Sequence, residues 1–249
     1  MSENVSSSVL YHFTDSKESL FSILKDGFFP HYCPEYTLDA VDTNAALEGR
    51  PPTRATLSVC FCDLPLSLIW GHLDVYGKYG IGLGKKWGLK NGVTPVFYTH
   101  PKAQTRLAIR RLTAKAKTND DGAMGMDMSL FAAFTKPFEG PAWRKNKVQE
   151  KVLFYDEREW RYVPDVQAGD ELFLTWADYA NVAKRKALHE KFKRKYALKI
   201  SPDDIEYLIV PDDSHVLKLA KFVRTLYEPD DATLVTTAIM TSDRIEADV

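Results

Sequence analysis

The sequence predicts an α+β fold. Strand-like and helix-like segments follow one another without the regular βαβ alternation of a parallel sheet. A short apolar strand, Val9 to Thr14, runs directly into an apolar-periodic helix. Further on, Tyr79-Gly80-Ile81-Gly82-Leu83-Gly84 reads as a strand with glycine at alternate positions. The chain reads as a single domain over residues 1–249, with 1–8 as a polar flexible leader and 165–249 as its least patterned part.

The elements follow in order. Asp15 or Ser16 caps a helix carrying Leu20, Phe21, Ile23 and Leu24, which Gly27 ends. Phe28 to Pro52 has little periodicity and four prolines, so a long functional loop is expected. Leu57 to Cys62 is a buried strand that Asp63-Leu64-Pro65 turns into a short helix through Trp70 and Leu73. Thr94 to Thr99 is a strand, Gln104 to Lys117 a basic helix, and Thr118 to Met126 a polar break before the apolar turn Leu130 to Phe134. Lys151 to Tyr155 and Glu159 to Val163 are strands, and Trp176 to Tyr196 is helical. Glu206 to Val210 is a strand, His215 to Leu226 an amphipathic helix, and Thr233 to Met240 a last strand.

Composition narrows the function classes. The 249 residues carry 33 basic and 34 acidic side chains, and no apolar run approaches the roughly 20 residues of a membrane span. The first 30 residues lack a signal-peptide pattern, so a cytoplasmic protein with no membrane partner is expected. Three cysteines, Cys33, Cys60 and Cys62, are too few and odd in number for a disulfide framework. With His31 they would make an unpaired set of zinc ligands, but buried apolar thiols are the simpler reading, and no metal is expected.

Charge is unevenly spread. Lys102, Arg106, Arg110, Arg111, Lys115 and Lys117 occur with no acid among them. Lys184 to Lys199 holds eight cations against Glu190, and Arg144, Lys145, Lys147 and Lys151 form a third cluster. Such segments attract phosphate backbones, although each alone also reads as a solvated helix face.

Two nucleotide-loop readings of Gly80 to Lys86 fail on spacing. The Walker pattern needs glycine at 79 and serine or threonine at 86, where the chain has Tyr79 and Lys86; Lys85 stands where the third Rossmann glycine belongs. Glu159 and Arg161 share one strand face, opposite Trp160 and Tyr162, with Glu157 nearby. That is an ion-pair pattern, and also a carboxylate against an apolar wall that could stabilise a sugar cation. His12 and Thr14 project to one side of their strand, as a donor pair for ribose hydroxyls or a carboxamide, or as core residues. Tyr79, beside two glycines, is the aromatic best placed to stack on a cationic ring.

Tyr11-His12-Phe13-Thr14, Leu20, Ile23-Leu24 and Gly27 resemble the opening of the ADP-ribosyltransferase fold, most closely DarT-type toxins. Cys60 through Tyr76-Gly77-Lys78-Tyr79-Gly80-Ile81-Gly82 to Pro95-Val96-Phe97-Tyr98, with Glu157 to Arg161, also resembles AbiGi-type abortive-infection proteins of phage defence. The likeness covers residues 9 to 165. It implies a split mixed sheet flanked by helices and a NAD-dependent mono-ADP-ribosyltransferase toxin, with NAD as substrate. On that basis Glu159 or Glu157 is catalytic, His12 and Thr14 grip the nicotinamide ribose and carboxamide, Tyr79 stacks on nicotinamide, and Arg54 matches a substrate or phosphate arginine. The basic segments favour a nucleic acid as acceptor, RNA rather than DNA, with a protein acceptor as the alternative, and a neutralising antitoxin protein is the expected partner. AbiGi-type proteins are also described as antitoxins, so a non-catalytic antitoxin or sensor is the alternative. An RNA-binding or RNA-cleaving effector using His12 and the basic helices is a third reading.

Overall fold

Tyr11 and Phe13 alternate with Leu10 and His12 along the strand Val9–Thr14, so the strand presents a different set of rings to each side. It is the centre of a mixed sheet in the computed structural model, which describes residues 6–36, 52, 54–118, 122–144, 147–167 and 169–247. The α+β expectation holds. The described chain groups into two compact units, each assembled from separate stretches.

The first unit comprises the chain up to Pro30, Val59–Thr94 and the chain from Phe192 onward. Its strands run in the order Ile239–Thr241, Ile205–Val210, Tyr79–Gly84, Val9–Thr14, then the Val59–Cys62 end of the strand Arg54–Cys62. Only the first of these pairings is parallel. The alternating glycines are explained by the register. Gly80 lies opposite Phe13 and Gly82 opposite Tyr11. A Cβ added at Gly80 would stand 2.7 Å from the Phe13 ring, and one at Gly82 2.8 Å from the Tyr11 ring. The close approach that glycine signals here is therefore made by two aromatic rings of the neighbouring strand.

Those rings seed a core with Val9, Cys62, Leu64, Ile69, Leu73, Ile209 and Ile245. Each such side chain contributes on the order of 1.5–3 kcal/mol when fully buried. On the other face the helix Lys17–Asp26 is capped by Ser16, whose hydroxyl accepts from Ser19 N at 3.2 Å. It ends at Gly27, where φ is +84° and an added Cβ would lie 2.5 Å from the Leu198 carbonyl oxygen. Phe21 stacks on Phe222 of the helix Asp213–Leu226 at 4.1 Å.

Two expectations change in this unit. Within the leader, Ser6 and Ser7 are fastened: both donate to the Asp63 carboxylate, which also takes Lys85 Nζ at 2.8 Å. Residues 1–5 lie outside the described residues. The last predicted strand is instead the helix Pro229–Thr237, because Pro229 and two aspartates occupy its first turn; only Ile239–Thr241 is a strand.

The second unit comprises His31–Ser58 and Pro95–Lys191. The expected long loop contains a strand, His31–Glu35, antiparallel to Arg54–Ser58, with Phe173–Thr175 pairing the same residues. Residues 37–51, where most of the rest of that loop falls, lie outside the described residues. A hairpin joins Glu139–Arg144 to Lys147–Leu153, and Phe97–Thr99 runs parallel to Thr135–Pro137. Lys151 to Tyr155 is thus only partly strand; Phe154–Glu157 is a 3-10 turn. The helical stretch from Trp176 breaks at Asn181, whose ψ of 97° leaves the helical region, giving helices Trp176–Ala180 and Val182–Phe192. The break before Leu130 is shorter than predicted, since a helix already runs over Gly122–Ala133.

Candidate functional site: a buried carboxylate network

The strand Glu159–Tyr162 alternates as its sequence requires, yet its charged face is the buried one. Glu159 is 6% exposed and Arg161 fully buried, while Trp160 and Tyr162 lie half-buried. The face that carries the acid is therefore the one that packs. Charge can occupy the interior here because it is matched at contact distance.

Arg161 Nε and Nη2 donate to Glu159 Oε1 at 2.7 and 2.6 Å. Its two Nη groups also fork onto Glu35, at 3.0 and 2.7 Å, and Nη1 donates to the Ala133 carbonyl at 2.6 Å. The other Glu159 oxygen accepts from Lys136 Nζ at 2.8 Å, and the same ammonium reaches Glu157 at 2.6 Å. Glu157 is also held by Arg144, which reaches on to Gln149 at 3.2 Å. The Phe154 ring lies 4.7 Å beneath Lys136 Nζ. Three carboxylates thus meet three cations in one enclosed cluster.

The backbone makes this possible through Arg158. It has φ 42° and ψ 49°, the one left-handed non-glycine among the described residues. That twist ends the 3-10 turn and starts the strand, so Glu157 and Glu159 converge on one lysine from two different elements. Non-glycine residues rarely adopt this conformation, and their cost of about 1–3 kcal/mol must be met by surrounding contacts. The Arg158 guanidinium lies over the Tyr155 ring at 5.8 Å. Tyr98 completes the frame: its hydroxyl accepts the Glu159 N–H at 2.8 Å, and Val96 N donates to the Glu159 carbonyl at 2.9 Å. Burial, reinforced by the Glu159 charge, pushes the Tyr98 phenol upward, so it stays protonated.

Arg54 belongs to this neighbourhood. It stands opposite Glu35 in strand register, with its guanidinium 4.7 Å over the Phe173 ring. Burial pulls its pKa down, Glu35 opposes that, and Arg161 adds to it. Arg54, Glu157 and Glu159 therefore share the second unit.

His12, Thr14 and Tyr79 share the first. Register pairs Thr14 with Tyr79 and His12 with Ile81, which puts all three named side chains on one sheet face. His12 is half-buried, and its Nδ1 lies 2.8 Å from the Cys60 carbonyl. A carbonyl only accepts, so Nδ1 carries the proton in the neutral ring. Phe28 and Phe61 wall the imidazole at 5.1 and 5.8 Å. Burial holds it below the usual histidine range, with the Cys60 hydrogen bond opposing. Tyr79 meets His215 edge-on at 5.8 Å, and burial raises its phenol pKa.

Much of the basic character is used within the fold. Arg106 is fully buried and donates to the Thr99 hydroxyl at 3.1 Å, and Arg144 turns inward to Glu157. Lys184 pairs with Glu171 and Asp178, and Lys191 with Asp170 at 2.7 Å. Lys145 lies outside the described residues. Those interactions weaken the phosphate-attracting reading of the second and third clusters. Among the described residues no group of three or more His, Cys, Asp or Glu is placed to hold a metal ion, and no helix is long and apolar enough to cross a membrane.

Sequence reasoning found Glu157, Glu159 and Arg161 but missed Lys136, Glu35 and Tyr98 as their partners. Nothing local marks those three, since Glu35 and Arg161 are 126 positions apart.

Residues 26–211 match the model of the family described as "Putative abortive phage resistance protein AbiGi, antitoxin". A protein of Lactococcus lactis subsp. cremoris named "Abortive phage resistance protein AbiGi" is 29% identical over 224 residues, covering 79% of this chain and 87% of that protein. The match reaches 46 residues beyond residue 165, where the likeness read from the sequence motifs ends. No solved structure matches the chain.

Proposed function

The chain belongs to the AbiGi family of abortive phage resistance proteins, and from that premise we propose that it acts by binding, as an antitoxin that holds a partner protein in check. One observation carries this reading over a catalytic one. Both oxygens of Glu159 are engaged, by Arg161 and by Lys136, inside an enclosed network with equal numbers of acids and cations. A carboxylate in that condition serves as a structural anion, because lending it to a substrate means first breaking a buried ion pair. The word antitoxin in the family description supports this reading over the toxin that the ADP-ribosyltransferase resemblance implies.

A second reading, NAD-dependent ADP-ribosyl transfer, is favoured by the left-handed Arg158. Backbone strain between two carboxylates is the kind of feature that active sites retain. In this reading Glu159 stabilises the oxocarbenium-like ribose as nicotinamide departs, and His12 and Thr14 hold the ribose and carboxamide. Tyr79 stacks on the nicotinamide ring, Arg54 takes a phosphate, and RNA is the acceptor. The fit is poor as the residues stand: the His12 Nδ1–H is already given to Cys60, and Glu159 requires release from Lys136 before it meets a sugar.

Expression in a bacterial host separates the two. An antitoxin leaves growth unchanged alone and restores it when co-expressed with a toxic protein encoded beside it. Labelled NAD incubated with the chain and RNA, DNA or cell protein then yields no transfer above the Glu159→Gln background. Toxicity and label transfer that both vanish in Glu159→Gln would replace the first reading with the second.

A further inference from the structure

The helix Gly122–Ala133 contradicts its own composition. Asp127 is its one charged residue, and a helix apolar on all sides is normally enclosed. Here only Ala133 is buried. Met126, Leu130 and Phe131 are 40% to 55% exposed, and Phe97, 6.2 Å from the Phe131 ring, is 43% exposed. A Cβ added at Gly122 or Gly125 would meet nothing within 4 Å.

The helix packed against it, Gln104–Thr118, shows a complementary anomaly. Its inward face is clear: Arg106 and Ala116 are buried, with Ile109 and Thr113 half-buried between them. The outward face carries Leu107 and Leu112, both at least 40% exposed, together with Arg111 and Lys115. Arg111 and Lys115 are a like-charged pair one helical turn apart, an arrangement that weakens a helix. Among the described residues neither takes an acidic partner, and the whole helix contains no Asp or Glu.

Exposed Leu, Met and Phe on a pair of packed helices, with outward cations that take no acidic partner among the described residues, is the composition of an interface that lacks its other half. We propose that the paired helices Gln104–Thr118 and Gly122–Ala133 form a docking surface for an acidic, apolar-faced helical segment of a partner protein. Apolar side chains of the partner cover Met126, Leu130 and Phe131, and its carboxylates meet Arg111 and Lys115. Charge complementarity selects this occupant. A basic column of this kind rejects a second copy of the same basic surface and draws an acidic one, raising both encounter rate and discrimination. The inference rests on the partner-binding reading and names where and by what chemistry that binding occurs.

The test uses the full chain and a synthetic amphipathic peptide of about 20 residues, long enough to hold a helix, with leucine on one face and glutamate on the other. A peptide with lysine at every glutamate position and a single-stranded RNA of about 20 nucleotides serve as comparisons. The acidic peptide is expected to bind at least about tenfold more tightly than the basic one. Arg111→Glu with Lys115→Glu reverses that preference, and Leu130→Ser with Phe131→Ser weakens both peptides about tenfold while circular dichroism stays native. Equal binding of both peptides, or binding unchanged in the two double variants, overturns the proposal. So does RNA binding that needs Arg111 and Lys115, or concentration-dependent dimerisation that Leu130→Ser with Phe131→Ser abolishes. Peptide binding does not depend on neutralisation in cells, so growth rescue that fails while peptide selectivity holds sinks the antitoxin reading alone.

Discussion

Glu157 and Glu159 end on the same ammonium, Lys136 Nζ, at 2.6 and 2.8 Å, although one sits in a 3-10 turn and the other in a strand. Two like charges held this close are tolerated because one cation lies between them and Arg144 and Arg161 flank them. Lys136→Met should therefore lower unfolding free energy by about 3–5 kcal/mol, the cost of leaving buried charge uncompensated. Urea denaturation measures it. Adding Glu157→Gln and Glu159→Gln to that variant should recover part of the loss, a coupling that independent sites would not show.

Arg158 supplies the turn between the two acids at a backbone cost. Arg158→Gly should hold stability level or raise it by up to about 1 kcal/mol, since glycine takes a left-handed conformation freely. Arg158→Val should lose about 1–2 kcal/mol, because a β-branched side chain crowds that conformation. Thermal unfolding of the pair decides it; a glycine variant less stable than the valine one would mean that the left-handed twist does not govern this position.

Gly82 leaves room for Tyr11. Gly82→Ala puts a methyl group 2.8 Å from that ring and should cost about 1–3 kcal/mol by overpacking. Tyr11→Leu in the same chain should cancel much of the cost specific to Gly82→Ala, which a double-mutant cycle in urea reads directly.

His12 makes stability fall on mild acidification. Its folded-state pKa lies below the unfolded value of about 6.5, so its contribution is complete above that pH. As pH drops through about 6.5 the unfolded chain takes up a proton that the folded chain refuses, and stability declines until the folded-state pKa is passed. Between pH 7.5 and 5.5 the wild-type urea midpoint should drop more than that of His12→Asn. Parallel curves would show that the ring does not titrate across folding.

The strand, helix and glycine stop over Val9 to Gly27 were legible because every signal there is local: an apolar run, a serine cap, a residue that must adopt positive φ. The alternating glycines were also legible as a site of close approach, but not the identity of what approaches, since Phe13 and Tyr11 come from a strand 66 or more positions earlier. Thr233 to Met240 reads as a strand because its threonines and valine favour strands, but proline with two aspartates starts a helix upstream that runs through Thr237.

By itself the sequence determined the α+β class, the faces of its strands, the absence of a phosphate loop and the likeness to phage-resistance proteins. Only tertiary structure decided what the carboxylates are for. Whether Glu159 is a free reactive group or a buried counter-ion depends on Lys136 and Tyr98, which reach it from other strands, and on Glu35, which shares its partner Arg161. Charge is matched in space over a few ångströms, and chain order carries no record of distances that arise when remote segments pack together.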